Sequence, residues 1–200
     1  QIDAENNVTT TTYDIAGRAI EVRDARGYRT TTTYDEANRP TEVQNARNYR
    51  TTWTYDHNGR VKREIDPLSR VTTYTYYSTG EIESKQDSRG VIVTFAYDDN
   101  RRKTGQVYSS GLRFTFTHDD VNNRLTMVDP TGTTAYAYDD LNRVESVTNA
   151  AGHVVTYGYD PAGRRTGMTG AGGPFVYHYD GTGRMDYLID SFGDRTTFSY

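Results

Sequence analysis

The chain has 200 residues, a formal net charge of −4, and only 34% hydrophobic residues, yet 12% are aromatic. So little aliphatic material excludes a thick globular core, while 18 tyrosines among many Thr and Val residues exclude the disordered class, which is poor in aromatic and β-branched side chains. Interspersed charges give no basic block for nucleic acid, the lack of cysteine removes disulfides and thiolate metal sites, and no apolar run approaches the ~20 residues of a membrane-spanning helix.

From the N-terminus onward, a Tyr-Asp anchor recurs. It stands at Tyr13-Asp14, Tyr34-Asp35, Tyr55-Asp56, Tyr97-Asp98, Tyr138-Asp139, Tyr159-Asp160 and Tyr179-Asp180, with degenerate copies at Tyr76-Tyr77 and His118-Asp119. Successive steps are 21, 21, 21, 21, 21, 20, 21, 20 and 21 residues, the last reaching Tyr200. Such a period marks a repeat architecture.

Each unit holds two turn signals. Four residues after the anchor tyrosine position come Gly17, Asn38, Gly59, Gly80, Asn122, Asn142, Gly163 and Gly183, residues that tolerate the positive φ of tight hairpins; Arg101 alone departs. Arginine follows the glycine at Arg18, Arg60, Arg164 and Arg184. About ten residues later a second turn often reads Asp/Asn-x-x-Gly, as at Asp24 and Gly27, or Asp190 and Gly193. Two turns per unit leave two short strands, so about 18 strands form an antiparallel meander. The strand entering each anchor alternates: Trp53/Tyr55, Tyr74/Tyr76, Phe95/Tyr97 and Tyr157/Tyr159 share one face, with Thr52/Thr54, Thr73/Thr75 and Ala135/Ala137 on the other. The expected fold is all-β: tandem antiparallel β-hairpin repeats of about 21 residues in one long sheet. Constant bias between faces should make it curl. Residues 1–200 read as one array of about nine repeats. Its cut edges would invite aggregation, which predicts a fragment of a larger assembly.

Tyr-Asp-x-x-Gly-Arg followed by Asp/Asn-x-x-Gly resembles the YD repeat of the Rhs family. The copies nearest that pattern are residues 13–18, 55–60 and 159–164, and the resemblance runs along the whole chain. The family includes bacterial Rhs polymorphic toxins, wall-associated proteins, shell components of Tc toxins, and teneurins. Membership implies a sheet spiralling into a hollow shell, in bacterial toxins around a C-terminal toxin polypeptide. The implied partners are neighbouring repeats of the same shell, the encapsulated toxin, and secretion or delivery proteins, with no nucleic acid and no membrane span. The implied localisation is secreted or cell-surface, in bacteria. No toxin domain and no self-cleavage region is evident in these residues; Asp66-Pro67 and Asp129-Pro130 read as turns.

Chemistry finds little support. His57, His118, His153 and His178 lie in different repeats and slots, so neither a catalytic nor a metal site is expected, and no cofactor. The repeated Asp reads as a turn acceptor or a partner for the Gly-Arg arginine. The stretch 170–173 lacks a phosphate-loop pattern and reads as an irregular second turn. The aromatic rows read as cross-strand stacking. The rival is an extracellular adhesion or carbohydrate-binding module, with the rings stacking on sugars. The preferred expectation is a non-catalytic wall segment.

Overall fold

The computed structural model describes residues 8–200. They form nineteen strands, one more than the sequence pattern suggests, and no helix. The chain divides into two compact units, one running to Phe95 with Tyr108–Ser110, the other comprising Ala96–Val107 and Gly111–Tyr200.

The first unit holds β1 (Thr10–Tyr13), β2 (Ala19–Arg23), β3 (Arg29–Tyr34), β4 (Pro40–Gln44), β5 (Arg50–Tyr55), β6 (Val61–Ile65), β7 (Val71–Tyr76), β8 (Ile82–Gln86) and most of β9 (Ile92–Tyr97). Each pairs antiparallel with the next. The second unit holds most of β10 (Lys103–Tyr108), then β11 (Arg113–His118), β12 (Arg124–Asp129), β13 (Gly132–Tyr138), β14 (Val144–Thr148), β15 (Val154–Tyr159), β16 (Arg165–Gly170), β17 (Gly173–Tyr179), β18 (Met185–Ile189) and β19 (Arg195–Thr197). These also pair in sequence order.

Both kinds of turn close in the same way. The Gly17 N–H donates to the Asp14 carbonyl at 3.0 Å and the Asp14 N–H to the Arg18 carbonyl at 3.0 Å. In the second turn Gly27 bonds Asp24 at 2.9 Å and Asp24 bonds Tyr28 at 3.0 Å. The third loop residue is left-handed throughout, with φ of 79° at Gly17 and 63° at Asn38. Arg101 keeps that conformation, at 62°, although its side chain disfavours it: the hydrogen-bond frame of the turn overrides local preference.

The two 20-residue steps have a local cause. In those repeats the second turn loses one residue, and Asp129 pairs directly with Gly132, as Gly170 does with Gly173. The stretch 170–173 is thus a two-residue hairpin. The lost residue comes out of the loop, so both strands keep their faces.

A β-bulge follows the anchors. Thr12 faces Glu21 but Tyr13 faces Ala19, leaving Ile20 as the extra residue. The same shift occurs at Tyr34, Tyr55, Tyr76, His118, Tyr138, Tyr159 and Tyr179. Such bulges raise the local right-handed twist.

Burial alternates along the strands. In β13 and β17 the rings of Tyr136, Tyr138, Tyr177 and Tyr179 are partly covered while Ala135, Ala137, Val176 and His178 face outward. Phe116, at 7% exposure, is the one buried hydrophobic side chain among the described residues. Stability therefore comes from neighbour-to-neighbour contacts spread along each unit.

Candidate functional site: the clasp between repeats

The anchor motif assembles into a clasp that reaches from one repeat to the next. Its base is the turn aspartate. Asp14 Oδ1 accepts the backbone N–H of Ala16 and of Arg18, both at 2.9 Å, and Oδ2 takes Arg18 Nε at 2.6 Å. Asp35, Asp56, Asp98, Asp139, Asp160 and Asp180 hold Arg39, Arg60, Arg102, Arg143, Arg164 and Arg184 in the same way. These carboxyls lie below the usual carboxylate range. The backbone N–H of Arg18 is the first cause at Asp14, and the Arg39 side chain is the first at Asp35.

The fixed guanidinium then spans to the following repeat. Arg18 Nη1 donates to the Asp35 carbonyl at 3.0 Å and to Asn38 Oδ1 at 2.9 Å. Arg60 reaches the Tyr77 carbonyl and Arg143 the Asp160 carbonyl, both at 3.1 Å, and Arg102 bonds the Asp119 carbonyl. The planar cation lies over the next anchor ring: Arg18 on Tyr34 at 5.0 Å, Arg39 on Tyr55 at 4.5 Å, Arg60 on Tyr76 at 4.4 Å, Arg143 on Tyr159 at 4.6 Å and Arg164 on Tyr179 at 4.8 Å. Ring-on-ring stacking therefore gives way, at these anchors, to guanidinium-on-ring packing.

The tyrosine completes the clasp by reaching back. Tyr34 donates its hydroxyl proton to the Ala19 carbonyl at 3.0 Å, Tyr55 to Pro40 at 2.6 Å, Tyr76 to Val61 at 2.8 Å, and Tyr138, Tyr159 and Tyr179 to Arg124, Val144 and Arg165 at 2.9 Å. Every acceptor is the return-strand residue paired with the preceding anchor at the bulge. Tyr13 stands on the first described strand and is 60% exposed; Tyr97 retains a partner.

The turn residue at positive φ has a second reason to be Gly or Asn. A side chain at Gly59 or Gly183 would begin 3.3 Å from the Nη1 atom of Arg39 or Arg164, so glycine leaves room for the incoming arm. Asn38 and Asn142 accept a donor instead, from Arg18 at 2.9 Å and from Asn123 at 2.8 Å. Gly17 and Gly163 adopt the same φ with open space around them.

Sequence reasoning missed Arg39, Arg102 and Arg143 as members of this set, because they follow Asn or Arg rather than Gly. The signal that finds them is position: one residue beyond the left-handed slot.

The histidines stay apart. His57 sits in a turn, His118 in an anchor slot and His153 just before β15. His178 lies on the small-residue face, its Nδ1 2.6 Å from Asp186 Oδ1 and its ring stacked 4.5 Å from Tyr187. Among the described residues no group of three or more His, Asp or Glu side chains could hold a metal ion.

Residues 13–50 and 138–174 match the RHS Repeat family. No curated protein sequence matches the chain. Among solved structures, the Photorhabdus luminescens Tc holotoxin pore is similar over 92% of this chain and 14% of its own, with a TM-score of 0.69 and 12% identity. The crystal structure of TcdB2-TccC3 is similar over 91% of this chain and 13% of its own, with a TM-score of 0.67 and 16% identity. The likeness is one of fold, and the chain spans a small part of either protein's length.

Proposed function

We propose that this chain, whose residues 13–50 and 138–174 match the RHS Repeat family, is a non-catalytic length of shell wall around a toxin polypeptide. Its structural-repeat character is plain in the strands and turns. Enclosure is the further step. The observation that carries it is the clasp: the motif side chains are spent on one another and on joining repeat to repeat. A wall of this kind acts by exclusion, keeping an enclosed polypeptide from its own cell and from proteases until delivery. Its partners are then neighbouring repeats, the enclosed toxin, and secretion or delivery proteins. Its place is outside the cell or on the bacterial surface.

The rival reading, sugar stacking on the aromatic rows, needs open ring faces. Five anchor rings between Tyr34 and Tyr179 already carry a guanidinium on one face, at 4.4–5.0 Å. That arrangement favours a structural use of the rings.

The test is the gene beyond the codon for Tyr200. A wall segment expects further repeats in phase and then a variable domain whose expression alone harms a bacterial cell. A following sequence with neither feature overturns the proposal. Glycan-array binding lost on Trp53→Ala would favour adhesion instead.

A further inference from the structure

Two ladders of charge run along the turns, and the clasp uses neither. In the first unit the second residue of the second-turn loop is arginine at Arg26 and Arg47, and again at Arg89. Arg26 and Arg47 are exposed and have no ion-pair partner among the described residues, while Arg29 and Arg50 behind them lie on Glu21 and Glu42. Two residues after each free arginine a tyrosine stands in solvent, Tyr28 at 59% and Tyr49 at 50% exposure.

In the second unit the first residue of three consecutive first-turn loops is aspartate: Asp99, Asp120 and Asp140. Asp120 and Asp140 are exposed, and the anchor carboxylates beside them are committed to Asn123 and Arg143. Each is followed by an apolar side chain in water, Val121 at 64% and Leu141 at 67% exposure.

Tips of one kind are two strands apart, about 10 Å at ordinary strand spacing. Both ladders inherit that pitch from the repeat. They carry opposite charge, and each sets an apolar group beside the charge.

We propose that the two ladders are halves of one interface: the second-turn edge of one chain docks on the first-turn edge of a second copy. Arg26 and Arg47 meet Asp120 and Asp140, and Tyr28 and Tyr49 cover Val121 and Leu141. This goes beyond a wall segment, because it gives lengths of wall a way to adhere edge to edge. Two different edges meet, so growth continues past a dimer, into a ring or an open filament. The contact is exposed and charge-led, so salt weakens it.

Sedimentation of the full 200-residue chain tests the interface. In low salt the mass should rise with protein concentration; in about 0.5 M salt, where charges are screened within a few ångström, it should return to that of the monomer. Arg26→Glu with Arg47→Glu, or Asp120→Lys with Asp140→Lys, should each weaken association about tenfold or more. All four substitutions in one chain should restore it. Circular dichroism melts establish that each variant is folded, and all four positions are exposed loop tips. A chain that stays monomeric in low salt at every concentration overturns the proposal. So does association that survives high salt and ignores the charge swaps, which would mark joining through unpaired strand edges. Neither result touches the shell-wall reading, which the downstream gene decides.

Discussion

A single hydroxyl shows how the repeat is held. Tyr76 donates to the Val61 carbonyl at 2.8 Å while Arg60 covers its ring, and partial burial raises its phenol pKa. Tyr76→Phe removes the hydrogen bond and keeps the ring, so the stability of the chain should fall by about 1 kcal/mol, read from the midpoint of chemical unfolding. The turn carboxylates act over a different variable. Asp14, Asp98 and Asp139 are held low first by the backbone N–H of the arginine four residues on, and Asp35 by its arginine side chain. A carboxyl held low in the fold contributes in full above the unfolded value of about 3.9, and that contribution fades as pH falls towards the folded value. Thermal melts should be flat from neutrality to about pH 5 and should drop below about pH 4. Asp35→Asn should flatten part of the acid limb. Equal melting at pH 7 and pH 2 would show that these carboxylates add nothing to folding.

At the scale of the hairpin, one repeat departs from the pattern on both sides. His118 replaces the anchor tyrosine, and its Nδ1 is buried without a hydrogen-bond partner. Asn123 replaces the arginine, and its side-chain amide donates to Asp119 Oδ2 and Asn142 Oδ1, at 2.9 and 2.8 Å. An orphaned buried polar atom costs about 1–3 kcal/mol. His118→Tyr combined with Asn123→Arg should therefore stabilise the chain by about 1–2 kcal/mol and slow amide exchange through residues 118–124. Unchanged exchange there would mean the repeat needs no clasp.

The hairpins themselves were legible in the sequence, because the pattern of anchors, Gly or Asn turns and alternating rings states both period and face. The clasp was only half legible. Asp14 and Arg18 are four residues apart, close enough for a turn reading to pair them. The bond from Arg18 to the Asp35 carbonyl spans 17 residues, and the Tyr34 acceptor lies at a bulge that no residue type announces. Those contacts depend on strand register, which emerges only once neighbouring hairpins have paired.

On the scale of the whole molecule, the phase of the strands is the quantity the chain keeps. Where a residue is lost, it leaves the second turn and the strands keep phase, as at residues 129–132 and 170–173. Excising residues 35–55 would join Tyr34 to Asp56 and remove one period. The shortened chain should keep its strand circular dichroism and melt cooperatively at a lower temperature. Excising residues 35–44 instead puts the entry strand β5 where the return strand β4 belongs and reverses every later strand, so that chain should melt broadly or aggregate. If both deletions behaved alike, phase would not be what holds neighbouring repeats together.

The arm that leaves each turn for the next also gives the molecule a direction. Synthesis delivers the N-terminal repeats first. When the residues of Tyr34 and Asp35 emerge from the ribosome, Arg18 can already be locked to Asp14, its remaining donor presented to a carbonyl that has only just been made. Each hairpin that carries this arginine is thus a template with one hand extended, and assembly can advance in the order of translation without waiting for the far end of the chain.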